Sequence, residues 1–250
     1  MKLFGALAKL WRGLLHIAVG LWTIYAHFPQ LAPTHREARV QAWAQRLLAL
    51  WGIELVVRGQ PPHGGPVLLV ANHISWLDIV VMHAARHCRF VSKSDVKHWP
   101  LVGTLAGAAG TLYLERSSRR DAMRVVQHMA EALREGDVLA VFPEGTTSDG
   151  LTLLPFHANL IQAAIAAEVP AQPVALQFVD RATGQLSLAP CYIGDDTLVG
   201  SIWRTLTTHG IQAVVSFGEP QRADGRDRRA WANALRHRIA ELREPAQRKV

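Results

Sequence analysis

The chain has 250 residues, of which 49% are apolar and only 19% are charged. This length can bury a substantial core, so the sequence predicts one α/β domain with an appendage. The apolar fraction exceeds that of most soluble domains, and a bilayer surface is one place for the surplus. The two cysteines, Cys88 and Cys191, give neither a disulfide framework nor a C-x-x-C metal spacing, which fits a reducing compartment.

The formal net charge of +7 is unevenly distributed along the chain. Residues 1–52 hold six basic residues and one acidic residue (+5), and residues 220–250 hold nine and four (+5), which leaves −3 for residues 53–219. The weakly acidic middle excludes a nucleic-acid surface. Basic ends beside it indicate contact with anionic lipid headgroups, where each basic residue contributes about 1 kcal/mol. Solvated basic ends without a partner are the alternative.

The N-terminal stretch predicts a membrane-interacting helical hairpin over residues 1–52. Its cleanest apolar run, Leu14 to Phe28, gives about 22 Å of helix, which is short for a hydrocarbon core ~30 Å thick. Its amphipathic aromatic residues suit headgroup depth. A second helical pattern runs from Thr34, a candidate N-cap, to Gly52, a candidate C-cap. We therefore expect a hairpin that lies in the interface, with a spanning helix as the alternative.

From residue 53 the pattern alternates between strands and helices. Such alternation is typical of an α/β fold with a mostly parallel or mixed sheet covered by helices, here over residues 53–250. The predicted strands are Ile53–Val57, Val67–Ala71, Arg89–Ser92, Thr111–Glu115, Val138–Phe142, Gln172–Phe178 and Ala213–Phe217. The predicted helices are Trp76–Ala85, His98–Ala109, Arg119–Arg134, Asn159–Ala167, Leu198–Thr207 and Asp227–Arg243.

The most informative stretch is Asn72 to Asp78, which joins a buried strand to a helix. Strand ends of α/β sheets open onto the crevice where ligands bind, so His73 is well placed for chemistry. The Asp78 carboxylate could accept the imidazole Nδ1–H and leave Nε2 free as a general base. Two alternatives remain open. His73 could be an ordinary loop histidine, and Ser75 with Asp78 fits a capping box in which Asp78 is structural.

Three further stretches follow predicted strands and should meet at one sheet edge. Arg116, which follows the strand after Gly110, could grip a phosphate or form a surface ion pair. The loop Phe142 to Gly150 contains glycines that allow close backbone approach and Glu144, which can hold a hydroxyl or an arginine. The stretch Val169 to Ala175 is apolar, which predicts either the wall of a pocket or a role in core packing.

Other chemistries find little support in the sequence. His83, His87 and Cys88 could place two histidines on one helical face, but the motif has no carboxylate partner, so no metal site is expected. P-loop, H-E-x-x-H and G-x-S-x-G patterns are absent from the sequence.

Together these motifs resemble the glycerolipid acyltransferase family typified by 1-acyl-glycerol-3-phosphate acyltransferase. The family's N-H-x-S-x-x-D motif is complete here as Asn72, His73, Ser75 and Asp78. Its G-x-x-F-I-D-R motif matches Gly110–Arg116 with three conservative replacements. Its F-P-E-G-T-R-S motif matches Phe142–Ser148, with Thr147 where arginine is usual. A fourth, apolar motif resembles Val169–Ala175, and order and spacing also agree over roughly residues 67–178.

The resemblance implies acyl transfer from a thioester, acyl-CoA or acyl carrier protein, to the free hydroxyl of a lysophospholipid. His73 would be the general base and Asp78 would orient it. Arg116 would bind the acceptor's phosphate, and Glu144, Gly145 and Thr146 would shape the acceptor site. Lys93 is a second candidate for anion contact. No metal, cofactor or nucleic acid is implied. The partners are membrane lipids, and the catalytic domain would face the cytoplasm at the cell membrane.

Departures from the family pattern leave the acceptor open. Thr147 removes a cation, so the expected acceptor, 1-acyl-sn-glycerol-3-phosphate, competes with another lyso-lipid such as a lyso-aminolipid. Two other classes of function also remain. The chain could be a membrane lipid-binding protein without turnover, or a hydrolase that uses water in place of the acceptor.

Overall fold

The structure is a computed structural model that describes residues 2–114 and 119–244. Its strands are β1 Glu54–Arg58, β2 Val67–Ala71, β3 Arg89–Lys93, β4 Leu112–Leu114, β5 Val138–Val141, β6 Ala171–Asp180 and β7 Ile211–Phe217. Its α-helices are α1 Lys2–Ala26, α2 Pro33–Trp51, α3 Leu77–Ala85, α4 Val102–Ala108, α5 Arg119–Arg134, α6 Gln162–Ala167, α7 Leu198–Thr207 and α8 Arg228–Arg243. Short 3₁₀ helices cover Phe28–Gln30 and Ser94–His98.

The strands of the described ranges form one seven-stranded sheet in the order β1-β7-β6-β2-β5-β3-β4. Neighbours are parallel except β6 and β7, which are antiparallel, so the sheet is mixed. Each strand predicted from the sequence is present, and the α/β fold class is confirmed. The predicted helix over residues 98–109 begins only at Val102, because Pro100 disfavours helical backbone at Trp99 and Leu101 has a φ of 62°.

Helices cover both faces of the sheet and divide the core into two apolar clusters. Residues of β2 alternate between them, because successive strand side chains point to opposite faces. Leu69 joins the cluster built with α1, α2, α3 and α7, whereas Leu68 joins the cluster built with α5, α6 and α8. Both side chains are fully buried, which explains why β2 is apolar throughout.

The N-terminal helices form a hairpin that shares the core of the sheet. Leu47, Leu48 and Trp51 of α2 are buried in the first cluster. α2 ends at Gly52, whose φ of 70° makes it the predicted C-cap, whereas its N-cap is Ala32 rather than Thr34 because Pro33 occupies the first turn. The hairpin is thus packed on the domain that it precedes.

Helix α1 is longer than its apolar run alone suggests. Its residues Leu3–Ala26 have a mean hydropathy of 1.2, and among the described residues this segment alone is long and apolar enough to cross a membrane. The buried residues of α1 whose side chains are described are all small, and they are Ala6, Gly13 and Gly20. A Cβ on Gly13 would lie 2.4 Å from Nε1 of Trp51, and one on Gly20 would lie 2.5 Å from Nε1 of Trp43. These two glycines let the tryptophans of α2 approach the α1 backbone.

This packing predicts opposite effects for two glycines of the same helix. Gly20→Ala should destabilise the fold by about 1–3 kcal/mol, because the new methyl group displaces Trp43. Gly5→Ala is the matched control, since its Cβ meets nothing within 4 Å and alanine favours helix by up to about 1 kcal/mol. Thermal unfolding should therefore show a lower Tm for the first variant and an equal or higher Tm for the second. Equal Tm values would refute the close crossing.

Candidate active site

Four neighbouring parallel strands bring the predicted motifs to one edge of the sheet. β2, β5, β3 and β4 are adjacent in that order, so their carboxyl ends lie on the same side. His73 follows β2, Glu144 follows β5, and Lys93 ends β3. Arg116 follows β4 in the sequence but lies outside the described residues, so its position stays a prediction.

The centre of this edge is the contact between His73 and Asp78. Nδ1 of His73 lies 2.8 Å from Oδ2 of Asp78. Because the carboxylate can only accept, the Nδ1–H group donates a hydrogen bond to it. The His73 side chain is 19% exposed, and among the described residues Nε2 has no hydrogen-bond partner. The ring therefore presents Nε2 toward the open side of the site, which is the arrangement that a general base requires.

Asp78 is fully buried and also organises the backbone around the histidine. Its Oδ2 accepts the N–H of Ile74 at 2.6 Å and the N–H of Ser75 at 2.9 Å, in addition to Nδ1–H. The Ser75 contact is half of a capping box, which the sequence offered as the alternative interpretation. Capping and orientation of the imidazole therefore coexist on one carboxylate oxygen.

Glu144 holds the backbone of the same loop from the neighbouring strand. Its Oε1 accepts the N–H of His73 at 2.8 Å, and its Oε2 accepts the N–H of Leu154 at 2.9 Å. Burial raises the pKa of the Glu144 carboxyl, and the two backbone N–H groups only partly oppose that increase. Both carboxylate oxygens thus already have partners within the protein. Through them Glu144 holds the loop between β2 and α3, which we name the His73 loop, against the loop that follows β5.

The imidazole is further constrained by ring packing and by a second backbone contact. The His73 ring stacks on Phe142 with centroids 4.0 Å apart and planes 7° from parallel. Ser148 N–H donates to the His73 carbonyl at 2.9 Å. Stacking from one side and hydrogen bonds at Nδ1, N and O leave the ring little freedom to rotate. Such pre-organisation lowers the cost of reaching the reactive geometry.

The other predicted site residues lie around this centre with fewer contacts. Gly145 and Thr146 follow Glu144 and are exposed. Gly145 has a φ of 73°, and a Cβ there would lie 2.9 Å from the His157 ring, so a glycine is needed for this turn. Lys93 is exposed at the carboxyl end of β3. These residues share the sheet edge with His73, while their role toward a substrate stays a prediction.

Sequence reasoning missed a segment that closes the site from outside the motifs. The N–H of Tyr192 donates to the carbonyl of Ile74 at 3.1 Å, and Ser75 Oγ donates to the carbonyl of Pro190 at 2.5 Å. Thr147 Oγ1 donates to the carbonyl of Tyr192. The segment Pro190–Tyr192 therefore joins the first motif to the third. No local pattern marks it, because its partners are distant in the sequence.

Two polar side chains have structural roles that the motifs alone do not specify. The Asn72 side chain pairs with the backbone of Leu176 in β6. Its Nδ2 donates to the Leu176 carbonyl at 3.0 Å, and its Oδ1 accepts the Leu176 N–H at 2.7 Å. Arg243 of α8 donates to the Gly150 carbonyl. Burial lowers the pKa of Arg243, and the charge of Glu144 acts in the opposite direction. A cation from the last helix thus reaches the loop in which Thr147 replaces the family's arginine.

The two histidines considered as metal ligands are buried behind the site. The ring of His83 stacks on that of His87 at 5.3 Å, and burial lowers the pKa of His83 to about 3. Cys88 is buried as well, and burial raises the pKa of its thiol. The His83 ring also meets Phe90 edge-on, and Phe90 stacks on Phe142, the ring that packs against His73. The two histidines therefore pack behind the aromatic rings that support His73.

The chain is similar in sequence to known proteins. The sequence model of the family described as Acyltransferase matches residues 53–177. The chain is similar to the lyso-ornithine lipid O-acyltransferase of Pseudomonas aeruginosa, with 38% identity over 204 residues that cover 82% of this chain and 78% of that protein. It is also similar to the 1-acyl-sn-glycerol-3-phosphate acyltransferase of Neisseria gonorrhoeae, with 39% identity over 186 residues that cover 74% and 72%.

One solved structure has the same fold. The crystal structure of the 1-acyl-sn-glycerophosphate (LPA) acyltransferase PlsC from Thermotoga maritima aligns with a TM-score of 0.72. The alignment covers 98% of this chain and 99% of that chain at 19% sequence identity. At this identity the likeness shows the α/β architecture, including the N-terminal helices, and nothing about substrates.

Asp78 both accepts backbone N–H groups and places a negative charge beside the imidazole. A substitution that keeps the first role and removes the second should separate the two. Asp78→Asn keeps an oxygen that can accept the Ile74 and Ser75 N–H groups, but it removes the negative charge beside the imidazole. Acyl-transfer activity should fall about 10²- to 10⁴-fold, while the Tm changes little. Measuring both on the purified variant checks this. A variant that loses stability but keeps its turnover would show that Asp78 only caps the helix.

Proposed function

Because the chain belongs to the acyltransferase family, we propose that it transfers a fatty acyl chain from an acyl thioester to the free hydroxyl of a lysophospholipid. The observation that carries this proposal is the buried Asp78 carboxylate, which holds Nδ1 of His73 and leaves Nε2 at the open sheet edge. A hydroxyl nucleophile needs such a base, because an alcohol at neutral pH is almost entirely protonated.

The reaction follows from this arrangement. Nε2 of His73 takes the proton of the acceptor hydroxyl as its oxygen attacks the thioester carbonyl. Asp78 stabilises the imidazolium that forms. When the tetrahedral intermediate collapses, the carbon–sulfur bond breaks and the thiolate leaves, receiving the proton from His73. The products are an ester and a free thiol, with no covalent enzyme intermediate.

The acceptor would lie along the carboxyl ends of β5, β3 and β4. In this proposal Arg116 binds the acceptor's phosphate, because a guanidinium matches phosphate with two parallel hydrogen bonds. Gly145 and Thr146 shape the acceptor site, and Glu144 supports them through the backbone contacts of the His73 loop. Lys93 supplies a second cation at the end of β3.

The first candidate acceptor is 1-acyl-sn-glycerol-3-phosphate, whose acylation gives phosphatidic acid. This choice rests on the Arg116 assignment and on the Neisseria relative named for that substrate.

The second candidate is a lyso-aminolipid, and one observation favours it. Thr147 stands where the family has an arginine, and its hydroxyl is already bonded to the Tyr192 carbonyl. The Pseudomonas relative, named for lyso-ornithine lipid, agrees with this alternative.

A panel of acceptors tests the function and separates these candidates. Purified enzyme with acyl-CoA or acyl carrier protein thioester should release thiol and form a diacyl product, detected by mass spectrometry, when a lysolipid is added. If 1-acyl-sn-glycerol-3-phosphate is the acceptor, it should react faster than lyso-ornithine lipid. Thr147→Arg should then change this ratio little. If lyso-ornithine lipid reacts faster, Thr147→Arg should shift the preference toward the phosphate acceptor.

Controls in the same assay address the other classes of function. His73→Ala should lower the rate about 10²- to 10⁴-fold in a folded protein, because it removes the base. Thiol release that does not depend on any lysolipid would identify a thioester hydrolase. Lipid binding with no thiol release under any condition would identify a binding protein.

The N-terminal hairpin would hold the enzyme on the membrane that contains its acceptor. In this proposal the catalytic domain lies on the cytoplasmic face. Contacts of α1 with the rest of the protein support a position of the hairpin in the interface. Lys9 Nζ donates to the Leu206 carbonyl at 3.4 Å near one end, and Trp43 Nε1 donates to the His16 carbonyl at 3.2 Å further along. A spanning α1 would have to break these contacts. The outer face of α1 exposes large apolar residues, which are Leu3, Phe4, Leu7, Trp11, Leu14, Leu15, Val19, Trp22 and Tyr25.

This arrangement predicts how the protein leaves a vesicle. High salt alone should not release it, because apolar burial of α1 persists when charges are screened, whereas detergent should release it. Vesicle flotation checks both outcomes. Complete release by salt would show purely electrostatic binding. Protection of an N-terminal tag from protease added outside sealed vesicles, while the catalytic domain stays accessible, would show a spanning helix instead.

A further inference from the structure

A second exposed apolar feature lies far from α1 in the sequence. The segment Lys93–Val102, which we name the Trp99 loop, connects β3 to α4. Trp99 is 51% exposed, Leu101 is 54% exposed and Val102 is 37% exposed. Large apolar side chains on adjacent positions seldom stay in water without a partner, because each loses the free energy of burial.

The backbone holds these side chains outward. Leu101 has a φ of 62°, a conformation that costs energy for a residue with a branched side chain. Gly103 packs so closely on the loop that a Cβ there would lie 2.1 Å from the Lys97 carbonyl oxygen. The Trp99 loop is therefore a tight turn that keeps Leu101 exposed. Backbone strain of this kind is typically retained at functional positions.

Helix α4 connects the Trp99 loop to the N-terminal hairpin. Helix α4, which follows the loop directly, packs against α1. Leu105 and Ala108 of α4 line a cavity of about 260 Å³ together with Gly20 and Ile24 of α1. The outer face of α1 at this end exposes Trp22 and its neighbours. Helix α4 thus joins the Trp99 loop to the C-terminal half of α1.

The charges of the loop favour an anionic surface. Lys93, Lys97 and His98 are exposed beside the apolar residues, and Asp95 is the acidic residue of the segment. Tryptophan flanked by lysine is the combination found at headgroup depth, where the indole lies in the interface and the ammonium groups meet lipid phosphates.

We propose that the Trp99 loop is a second membrane contact, which inserts Trp99 and Leu101 into the same anionic leaflet on which α1 lies. The inference rests on the proposed acyl transfer to a membrane lipid. Two separated contacts fix the tilt of the domain, which one helix cannot do. Because β3 ends at the edge that carries His73, the loop would hold that edge toward the acceptor headgroups.

Site-specific labelling tests the contact directly. An environment-sensitive fluorophore is attached to the full chain in two variants, Leu101→Cys and Met123→Cys. Wild type treated in the same way measures the background labelling of Cys88 and Cys191, which are buried. Met123 is the matched control, because it is 75% exposed on α5, on the other face of the sheet. With vesicles of phosphatidylglycerol and phosphatidylcholine, the label at position 101 should shift to the blue and be quenched by brominated lipid. The label at position 123 should do neither. Equal signals from both positions would overturn the proposal.

Activity provides an independent readout. The double variant Trp99→Ser/Leu101→Ser should lose at least about tenfold of its rate on a long-chain lysolipid in vesicles, since two apolar anchors are removed. Its rate on a short-chain, monomeric lysolipid should match that of wild type, as should both rates of Met123→Ser. Equal losses on the two substrates would overturn the proposal. If no lysolipid is acylated, the proposed function fails, and the labelling experiment still decides the membrane contact.

Discussion

The candidate active site depends on one carboxylate oxygen, Oδ2 of Asp78. It accepts hydrogen bonds from Nδ1 of His73 and from the N–H groups of Ile74 and Ser75, and it is completely buried. Removing such a charge from water is costly unless donors replace the lost hydration. The backbone turn that supplies two of the donors also sets the position of the histidine. Helix start, loop shape and imidazole orientation are thus coupled, and a change in one changes the others.

Long-range contacts then place this local unit against the rest of the site. Strand β5 lies between β2 and β3 although all of α3, α4 and α5 separate it from β2 in the sequence. This order allows Glu144 to accept the His73 N–H and Phe142 to stack on the ring. The segment Pro190–Tyr192 adds contacts from a third part of the chain. The sheet therefore acts as a rigid frame that brings together loops from distant segments.

The N-terminal hairpin is joined to the same frame. Trp51 packs edge-on against Trp76 at 5.8 Å, two residues before Asp78, and Trp76 Nε1 donates to Ser201 Oγ at 3.0 Å. The helices of the hairpin and the loop that carries His73 therefore share side chains of one core. Under the proposed function, this continuity lets one small domain hold the buried dyad at a fixed distance from an acceptor in the bilayer. A flexible tether would give membrane binding without fixing the distance between His73 and the headgroups.

The sequence by itself determined the strands, most helices and the pairing of His73 with Asp78, because hydrophobic periodicity and short motifs act over a few residues. It also fixed Gly52 as a helix end, since a left-handed residue is needed there. It missed the late start of α4, where Pro100 and the strained Leu101 interrupt the helical pattern. Only the tertiary structure decided that Glu144 binds the His73 backbone, that Thr147 bonds to Tyr192, and that Leu101 is exposed. These contacts join residues tens of positions apart, and their partners are set by strand order and packing, which no local pattern encodes.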